Sequence, residues 1–329
     1  MRVLNVTDIQ TKDGNLLRSI EVVVIVGAGW TGRQIAGQML THGIQVILCD
    51  ESSGALNTSK SWILSNLTSF AQEGYWPPTS EDVVETRLQL VHPDVIFSPQ
   101  NVIRNEKLVS EAHRSIDLSL GGFDKSLIDL VLECIPEQVA LKRRVLKLAS
   151  ELYPETTVIA SNSSYFVPST FSKHIVSPKR YAHFHFHVPV WKATIVDVAA
   201  GPHTSEETLQ RLEKLSHSIG QTPLVQRREN SGYVFNAMLK SVLQSALQLL
   251  EQGVATPDQV DLAWTKATGM PVGPFGMMDQ IGLDILYQTM SNARFVDGDD
   301  VWMPLIAILQ PYIDAGNLGV KTGQGFFKY

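Results

Sequence analysis

The sequence predicts an α/β domain built on a parallel sheet, followed by an all-helical domain. Three observations carry this. Strand-like and helix-like segments alternate from about residue 21, Val22 to Val26 is an unbroken apolar run, and after about residue 228 only helical periodicity remains. An unbroken apolar run suits a strand covered by crossover helices on both faces, and alternation of the two element types is the pattern of a parallel sheet.

Taken in order, the first strand is Val22 to Val26. The next segment places Ile35, Ala36, Met39 and Leu40 on one side of a helix, and Val46 to Leu48 forms the second strand. Residues 51–120 are longer and less regular, with Trp62, Leu67 and Phe70 at helical spacing and a break at Pro77 and Pro78. Leu130 to Leu132 and Val158 to Ala160 are short buried strands separated by a helix around Leu141 to Leu152, and Ala193 to Ala200 is an apolar strand interrupted by Asp197. The run Val234, Phe235, Met238, Leu239, Val242, Ala246, Leu249, Leu250 follows the i, i+3, i+4, i+7 rule over four turns. The expected domains are therefore residues 1–227, including the extended 51–120 segment, and residues 228–329.

Bulk properties narrow the function classes. A chain of 329 residues with 44% hydrophobic content has ample material for two cores, and no apolar run reaches transmembrane length. The net charge of −6 argues against nucleic acid or an anionic membrane as the main partner, because both need a basic face. Only Cys49 and Cys134 occur, which excludes a disulfide framework. The first twenty residues mix Arg2 and Arg18 with Asp8 and Asp13 around no apolar stretch, unlike a signal or transit peptide. The expectation is a cytoplasmic, enzyme-sized protein.

Gly27, Ala28, Gly29, Trp30, Thr31 and Gly32 form G-x-G-x-x-G between a strand and a helix, and Asp50 ends the next strand, 21 residues after Gly29. The motif alone is weak, since glycines gather in any tight turn. Its context makes it specific: the first glycine permits the turn, the second lets backbone approach a pyrophosphate, and the third lets helix and strand pack closely. The helix N-terminus then faces the phosphates, and Asp50 would accept hydrogen bonds from ribose hydroxyls while repelling a 2′-phosphate. A Rossmann-type domain binding NAD rather than NADP is expected.

Several separated motifs extend this over residues 21–329. Glu133-Cys134-Ile135-Pro136-Glu137 with Lys142, Ser161-Asn162-Ser163-Ser164, and Arg180-Tyr181-Ala182-His183-Phe184-His185-Phe186 follow one another in the first domain. Gly232-Tyr233-Val234-Phe235-Asn236, Pro271-Val272-Gly273-Pro274-Phe275 and Lys321-Thr322-Gly323-Gln324-Gly325-Phe326-Phe327 follow in the second. In this order and spacing the chain resembles the 3-hydroxyacyl-CoA dehydrogenase family. The resemblance implies an NAD-dependent oxidoreductase that interconverts a short 3-hydroxyacyl-CoA, such as 3-hydroxybutyryl-CoA, and its 3-keto form. It also implies Glu137, Lys142 and Lys321 around NAD, His185 as catalytic acid–base, and Ser164 and Asn236 near the substrate oxygen.

The residues themselves support part of this. Oxidising a secondary alcohol needs a base for the hydroxyl proton, and histidine can serve in both directions near neutral pH. His183, His185 and His187 alternate along one strand face and compete for the role. Asp197 is costly inside an apolar strand unless paired, and an imidazolium formed during reaction is a natural partner. The family's partner is a glutamate twelve residues after its histidine, and Asp197 stands twelve after His185. Two departures matter: aspartate is one methylene shorter, so the pair is expected to close by a backbone shift or through water, and Val188 replaces the asparagine expected before Pro189.

Other readings compete. His183 and His187 could be satisfied core residues, Ser164 could merely cap a turn, Asn236 could be a satisfied buried amide, and Lys142 and Lys321 could be solvated charges. Two of the three same-face histidines could share a metal, although no further ligand cluster completes the shell, so no metal is expected. The function could instead concern free 3-hydroxy acids or betaine-like hydroxy acids, or NAD binding without turnover. Residues 51–100 hold only Lys60 and Arg87 against six carboxylates, so a CoA nucleotide should bind weakly, with Lys60 its main basic contact. A homodimer through the helical domain is expected from its apolar surplus, including Met277, Met278, Ile281, Leu283, Ile285 and Leu286.

Overall fold

The computed structural model describes residues 17–97, 124–297 and 299–329. The chain divides into two compact units, one ending at Tyr233 and one beginning at Val234. In the first unit β1 (Val22–Val26), α1 (Trp30–Thr41), β2 (Gln45–Cys49), α2 (Ser53–Gln72), α3 (Glu81–Arg87), β3 (Leu88–Val91) and the single turn α4 (Pro93–Ile96) precede residue 98. There follow β4 (Leu130–Glu133), α5 (Val139–Leu152), β5 (Val158–Ser161), α6 (Ser169–Ser172), β6 (Tyr181–Phe186), β7 (Ile195–Ala200), α7 (Glu206–Ser218) and β8 (Thr222–Gln226).

The strands form one sheet in the order β3-β2-β1-β4-β5-β6-β7-β8. Neighbours from β3 to β6 are parallel, β7 runs antiparallel to β6, and β8 is parallel to β7. The first six strands have the doubly wound order in which the connection reverses at β1, opening a crevice beyond the carboxyl ends of β1 and β4. The parallel expectation therefore holds for the inner sheet, while the β7–β8 edge adds an antiparallel step. The apolar run of β1 is buried throughout because it feeds two layers. Val23 and Ile25 pack with Ile35 and Met39 of α1, and Val22, Val24 and Val26 pack with Leu146 and Ala149 of α5. Each of the Val, Ile, Leu and Met side chains among them contributes about 1.5–3 kcal/mol relative to exposure.

The segment beginning at residue 51 is more regular than its sequence suggests. Ser52 caps α2 by accepting from the Ala55 amide, and Leu56, Ser59, Ile63, Leu67 and Phe70 form the buried face of that helix. Residues 98–120 of the extended segment lie outside the described residues.

The second unit comprises α8 (Phe235–Glu251), α9 (Pro257–Thr268), α10 (Pro274–Ile281), α11 (Leu283–Asp297) and α12 (Asp299–Asp314). Two of the sequence motifs, residues 271–275 and 321–327, have local causes here. Asp261 accepts from the Phe275 and Gly276 amides at 2.8 and 2.9 Å, capping α10 at the Pro-Val-Gly-Pro-Phe segment. Asp279, buried, accepts from the Phe326 and Phe327 amides and the Tyr329 hydroxyl, which fastens the closing segment. The apolar stripe read on α8 is displaced: Leu243, Ala246 and Leu247 are buried, whereas Val234, Phe235, Met238 and Leu249 are exposed. The surplus named for dimerisation is displaced too. Met278, Leu283 and Leu286 are buried, Met277 and Ile281 are half-buried, and of the six only Ile285 is exposed. Among the described residues no helix is long and apolar enough to cross a membrane.

Candidate active site

Residues 27–32 link β1 to α1 at the sheet's reversal point. Gly27 has φ +112°, and a Cβ there would lie 2.6 Å from the Cys134 carbonyl oxygen. A Cβ on Gly32 would meet the Gly27 carbonyl oxygen at 1.9 Å, so helix and turn can approach only without side chains. At Gly29 nothing lies within 4 Å of that position, and α1 starts there with no side-chain cap on its amides. Ala28 is buried, its carbonyl accepting from Ser59 at 2.7 Å, while Thr31 is half-buried. Trp30 is exposed and stands edge-on to Trp62 and Trp191.

Asp50 begins the loop after β2, where its carboxylate accepts from the Ala28 and Ser52 amides, both at 2.8 Å. It borders a cavity of about 350 Å³ lined also by Gly27, Phe97, Pro136 and Arg144. Open space at Gly29, uncapped helix amides and a carboxylate beside a partly apolar cavity suit pyrophosphate, ribose and adenine in turn. The residues fit NAD.

Beyond β4, Lys142 is buried rather than solvated. Its Nζ lies 2.7 Å from Glu133 Oε1 and 3.0 Å from Glu137 Oε2. Burial penalises this ammonium, but the two carboxylates outweigh it and hold the pKa above its ordinary value. Glu133 also accepts from Ser161 Oγ at 2.6 Å, and Ser163 donates to Glu137. The network ties the ends of β4 and β5 to α5, with Lys142 acting inside it and Glu137 about one-third exposed at its edge. Asn162 accepts from the Phe186 amide at 2.8 Å, locking the end of β6, while Ser164 is exposed.

The three histidines do not share one environment. His183 Nε2 lies 2.8 Å from the Tyr181 hydroxyl and its Nδ1 2.8 Å from that of Tyr233, which itself donates to the Ser163 carbonyl. Burial keeps His183 well below its ordinary pKa, so it is a neutral core residue. His185 Nδ1 is 3.0 Å from Asp197 Oδ2, and His187 Nε2 reaches the same oxygen at 2.8 Å. The expected shift or water bridge is not needed: His185 and Asp197 are directly opposed across β6 and β7, so the shorter side chain spans the gap. Gln226, on β8, donates to Asp197 Oδ1 at 2.9 Å, and Tyr233 stacks on the His185 ring at 4.9 Å.

The electrostatics follow from this geometry. Burial pushes the His185 imidazole below its ordinary value, and hydrogen bonding to Asp197 only partly restores it. Burial would raise the Asp197 carboxyl, but the two imidazoles outweigh it and hold it below the usual range. With Nδ1–H directed at the anion, His185 Nε2 can accept a proton. A ligand cluster does exist here, since His185, His187 and Asp197 bring ligand atoms within 4.8 Å of one another, contrary to the sequence expectation. Both nitrogens converge on one carboxylate oxygen at hydrogen-bond distance.

Three further expected contacts, Lys60, Lys321 and Asn236, sit on other elements. Lys60, on α2, pairs with Glu85 of α3 at 2.7 Å, so its charge is already matched by a neighbouring helix. Lys321 belongs to the second unit and pairs with Asp284. Asn236 lies on the first turn of α8, half-buried. Sequence reasoning missed Gln226, the carboxylate contact of His187, and the double role of Tyr233 against His183 and His185. The positive φ of Tyr233, 56°, follows from the Gly232-Tyr233 turn, a signal visible only as a glycine before an aromatic residue.

A six-strand doubly wound core with a bare glycine turn at its reversal point is the architecture of nicotinamide-dependent dehydrogenases. Comparison with known proteins agrees. A model of the 3-hydroxyacyl-CoA dehydrogenase NAD binding domain matches residues 22–113 and 103–229, and a model of that family's C-terminal domain matches residues 232–329. Mitochondrial hydroxyacyl-coenzyme A dehydrogenase from Sus scrofa is 27% identical over 312 residues, covering 94% of this chain and 91% of its own. The solved structure of (S)-3-hydroxybutyryl-CoA dehydrogenase from Ralstonia eutropha superposes with a TM-score of 0.77 at 26% identity, covering 94% and 99% of the two chains. A diketoreductase, solved in work on dicarbonyl compounds, gives 0.78 at 28% identity, covering 95% and 100%. The chain belongs to the 3-hydroxyacyl-CoA dehydrogenase family and is an NAD-dependent dehydrogenase.

Proposed function

We propose that this enzyme interconverts a short-chain 3-hydroxyacyl-CoA, of the 3-hydroxybutyryl-CoA kind, and its 3-keto form. The observation that carries the reading is the 3.0 Å contact between buried His185 and Asp197 on directly opposed strand positions. In oxidation, His185 Nε2 takes the hydroxyl proton as the carbinol carbon loses its hydride, and Asp197 stabilises the imidazolium that forms. NAD, when bound, accepts that hydride. Gly27 to Gly32 and Asp50 are the residues assigned to hold it, with Glu137 at the edge of the buried lysine network and Lys142 supporting that network from inside. The exposed Ser164 hydroxyl is assigned to the substrate oxygen, and for Asn236 and Lys321 the assignment rests on the family resemblance alone.

A second reading, a free 3-hydroxy or betaine-like hydroxy acid as substrate, draws on one observation. The Lys60–Glu85 pair leaves α2 with little uncommitted positive charge for a nucleotide's phosphates. NADH consumption separates the two. Acetoacetyl-CoA is expected to give a higher kcat/KM than a truncated thioester without the nucleotide, and both a higher value than free acetoacetate. Equal values for the two thioesters, unchanged by Lys60→Ala, would remove nucleotide recognition, and a preference for the free acid would replace the first reading by the second.

A further inference from the structure

We propose that His187 is a positioning residue for hydride transfer, holding the Asp197 carboxylate through the same oxygen that takes His185. The proposal rests on His185 being the acid–base of the preceding section.

Asp197 is wholly buried, and three donors from three segments converge on it. His185 on β6 and His187 just beyond β6 both reach Oδ2, at 3.0 and 2.8 Å, and Gln226 on β8 reaches Oδ1 at 2.9 Å. The two imidazoles meet edge-on with centroids 4.8 Å apart, and both side chains are less than one-tenth exposed. A buried carboxylate stays ionised only when its lone pairs are matched, so removing one donor weakens the anion's place in the fold. Donation from His187 requires its proton on Nε2, and donation from His185 requires its proton on Nδ1. The shared oxygen thus sets both tautomers and leaves His185 Nε2 as the proton acceptor.

Sharing the oxygen has a chemical consequence. An N–H from His187 draws electron density from Oδ2, so Asp197 stabilises the His185 imidazolium less than an undivided carboxylate would. The other groups facing His185 are Glu137 from the loop before α5, the neutral phenol of Tyr233 and the neutral ring of His183, with Gln226 facing Asp197 from β8. None of these donates to Oδ2, so the effect belongs to His187. Its removal should slow turnover by misplacing the carboxylate and raise the pH at which His185 loses its proton.

The test compares wild type, His187→Phe, which keeps an apolar ring, and His187→Gln, which keeps an N–H donor. NADH affinity is read by fluorescence, and kcat for 3-hydroxybutyryl-CoA oxidation is read as a function of pH. His187→Phe is expected to bind NADH as wild type does, to lose about tenfold or more in kcat, the effect of one hydrogen bond to a charged group, and to move the acidic limb to higher pH. His187→Gln is expected to recover most of the rate and the wild-type limb. A Phe variant with wild-type rate and limb would overturn the proposal, and so would a Gln variant as slow as Phe while binding NADH normally. If the Phe substitution impairs NADH binding, the Gln variant decides alone by the same criterion. A wild-type enzyme inactive on every 3-hydroxy substrate would instead refute the dehydrogenase reading itself.

Discussion

Replacing Asp197 by asparagine isolates the charge of the proposed dyad from its shape. The side chain is buried and all three of its partners can act as donors, two on Oδ2 and one on Oδ1. An asparagine can keep its oxygen toward the two imidazoles and turn its amide toward Gln226, which satisfies that amide by rotating its own oxygen inward. The fold should therefore survive, and what disappears is the anion beside a forming imidazolium. A hydrogen bond to a charged group contributes about 1.5–3 kcal/mol, and about 1.4 kcal/mol corresponds to tenfold in rate. The expected loss in kcat is about 10- to 150-fold. Burial already lowers the His185 pKa and Asp197 works against that, so the acidic limb of the oxidation profile should move to lower pH, opposite to the His187→Phe shift. The assay is NADH formation from 3-hydroxybutyryl-CoA across pH, with NADH affinity and thermal midpoint as controls on folding. A limb that moves upward, or a rate unchanged in a folded variant, would refute the reasoning.

Three further predictions follow from the same geometry. Wild type should give a higher kcat/KM with NADH than with NADPH, and Asp50→Ala should narrow that preference; a native preference for NADPH would contradict the role given to Asp50. Stability should fall as pH drops below about 6.5, where the unfolded histidines take up protons while buried His183 and His185, with lowered folded pKa values, resist them until lower pH. The slope is up to about 1.4 kcal/mol per pH unit for each, and a urea midpoint flat from pH 8 to 5 would refute it. A homodimer through the helical unit is proposed from the exposed Phe235, Met238 and Leu249 of α8 and Leu262 of α9; a monomer by light scattering at micromolar concentration would refute it.

The sequence makes some levels of this structure legible and hides others. The nucleotide turn is legible because its glycines fall close together between a strand and a helix; Gly32 answers to the nearby Gly27 carbonyl, although Gly27 answers to the Cys134 carbonyl just beyond β4, which the sequence does not place beside it. Strands β1, β4 and β5 are legible because burial on both faces leaves an apolar run. β3 and β8 are not, since Leu88–Val91 and Thr222–Gln226 are short, partly polar edge pieces. The pairing of His185 with Asp197 came from a family spacing, but its directness comes from cross-strand register, which no spacing displays. Likewise the burial of Lys142 on α5 is invisible in the sequence, because the ends of β4 and β5 bring Glu133 and its partner Ser161 to it only in the fold. The α8 stripe misled for a related reason: periodicity finds an apolar face but does not say what covers it.

The proposed chemistry requires His185 rather than His183 as the acid–base, and the two lie two residues apart on β6. The most direct measurement is turnover and NAD affinity of His185→Ala beside His183→Ala. His185→Ala is expected to lose about 10²–10⁴-fold in kcat with NAD affinity nearly unchanged, while His183→Ala loses far less rate, its ring serving Tyr181 and Tyr233 in the core. The reverse order, or a His185→Ala enzyme that turns over as wild type does, would contradict the account.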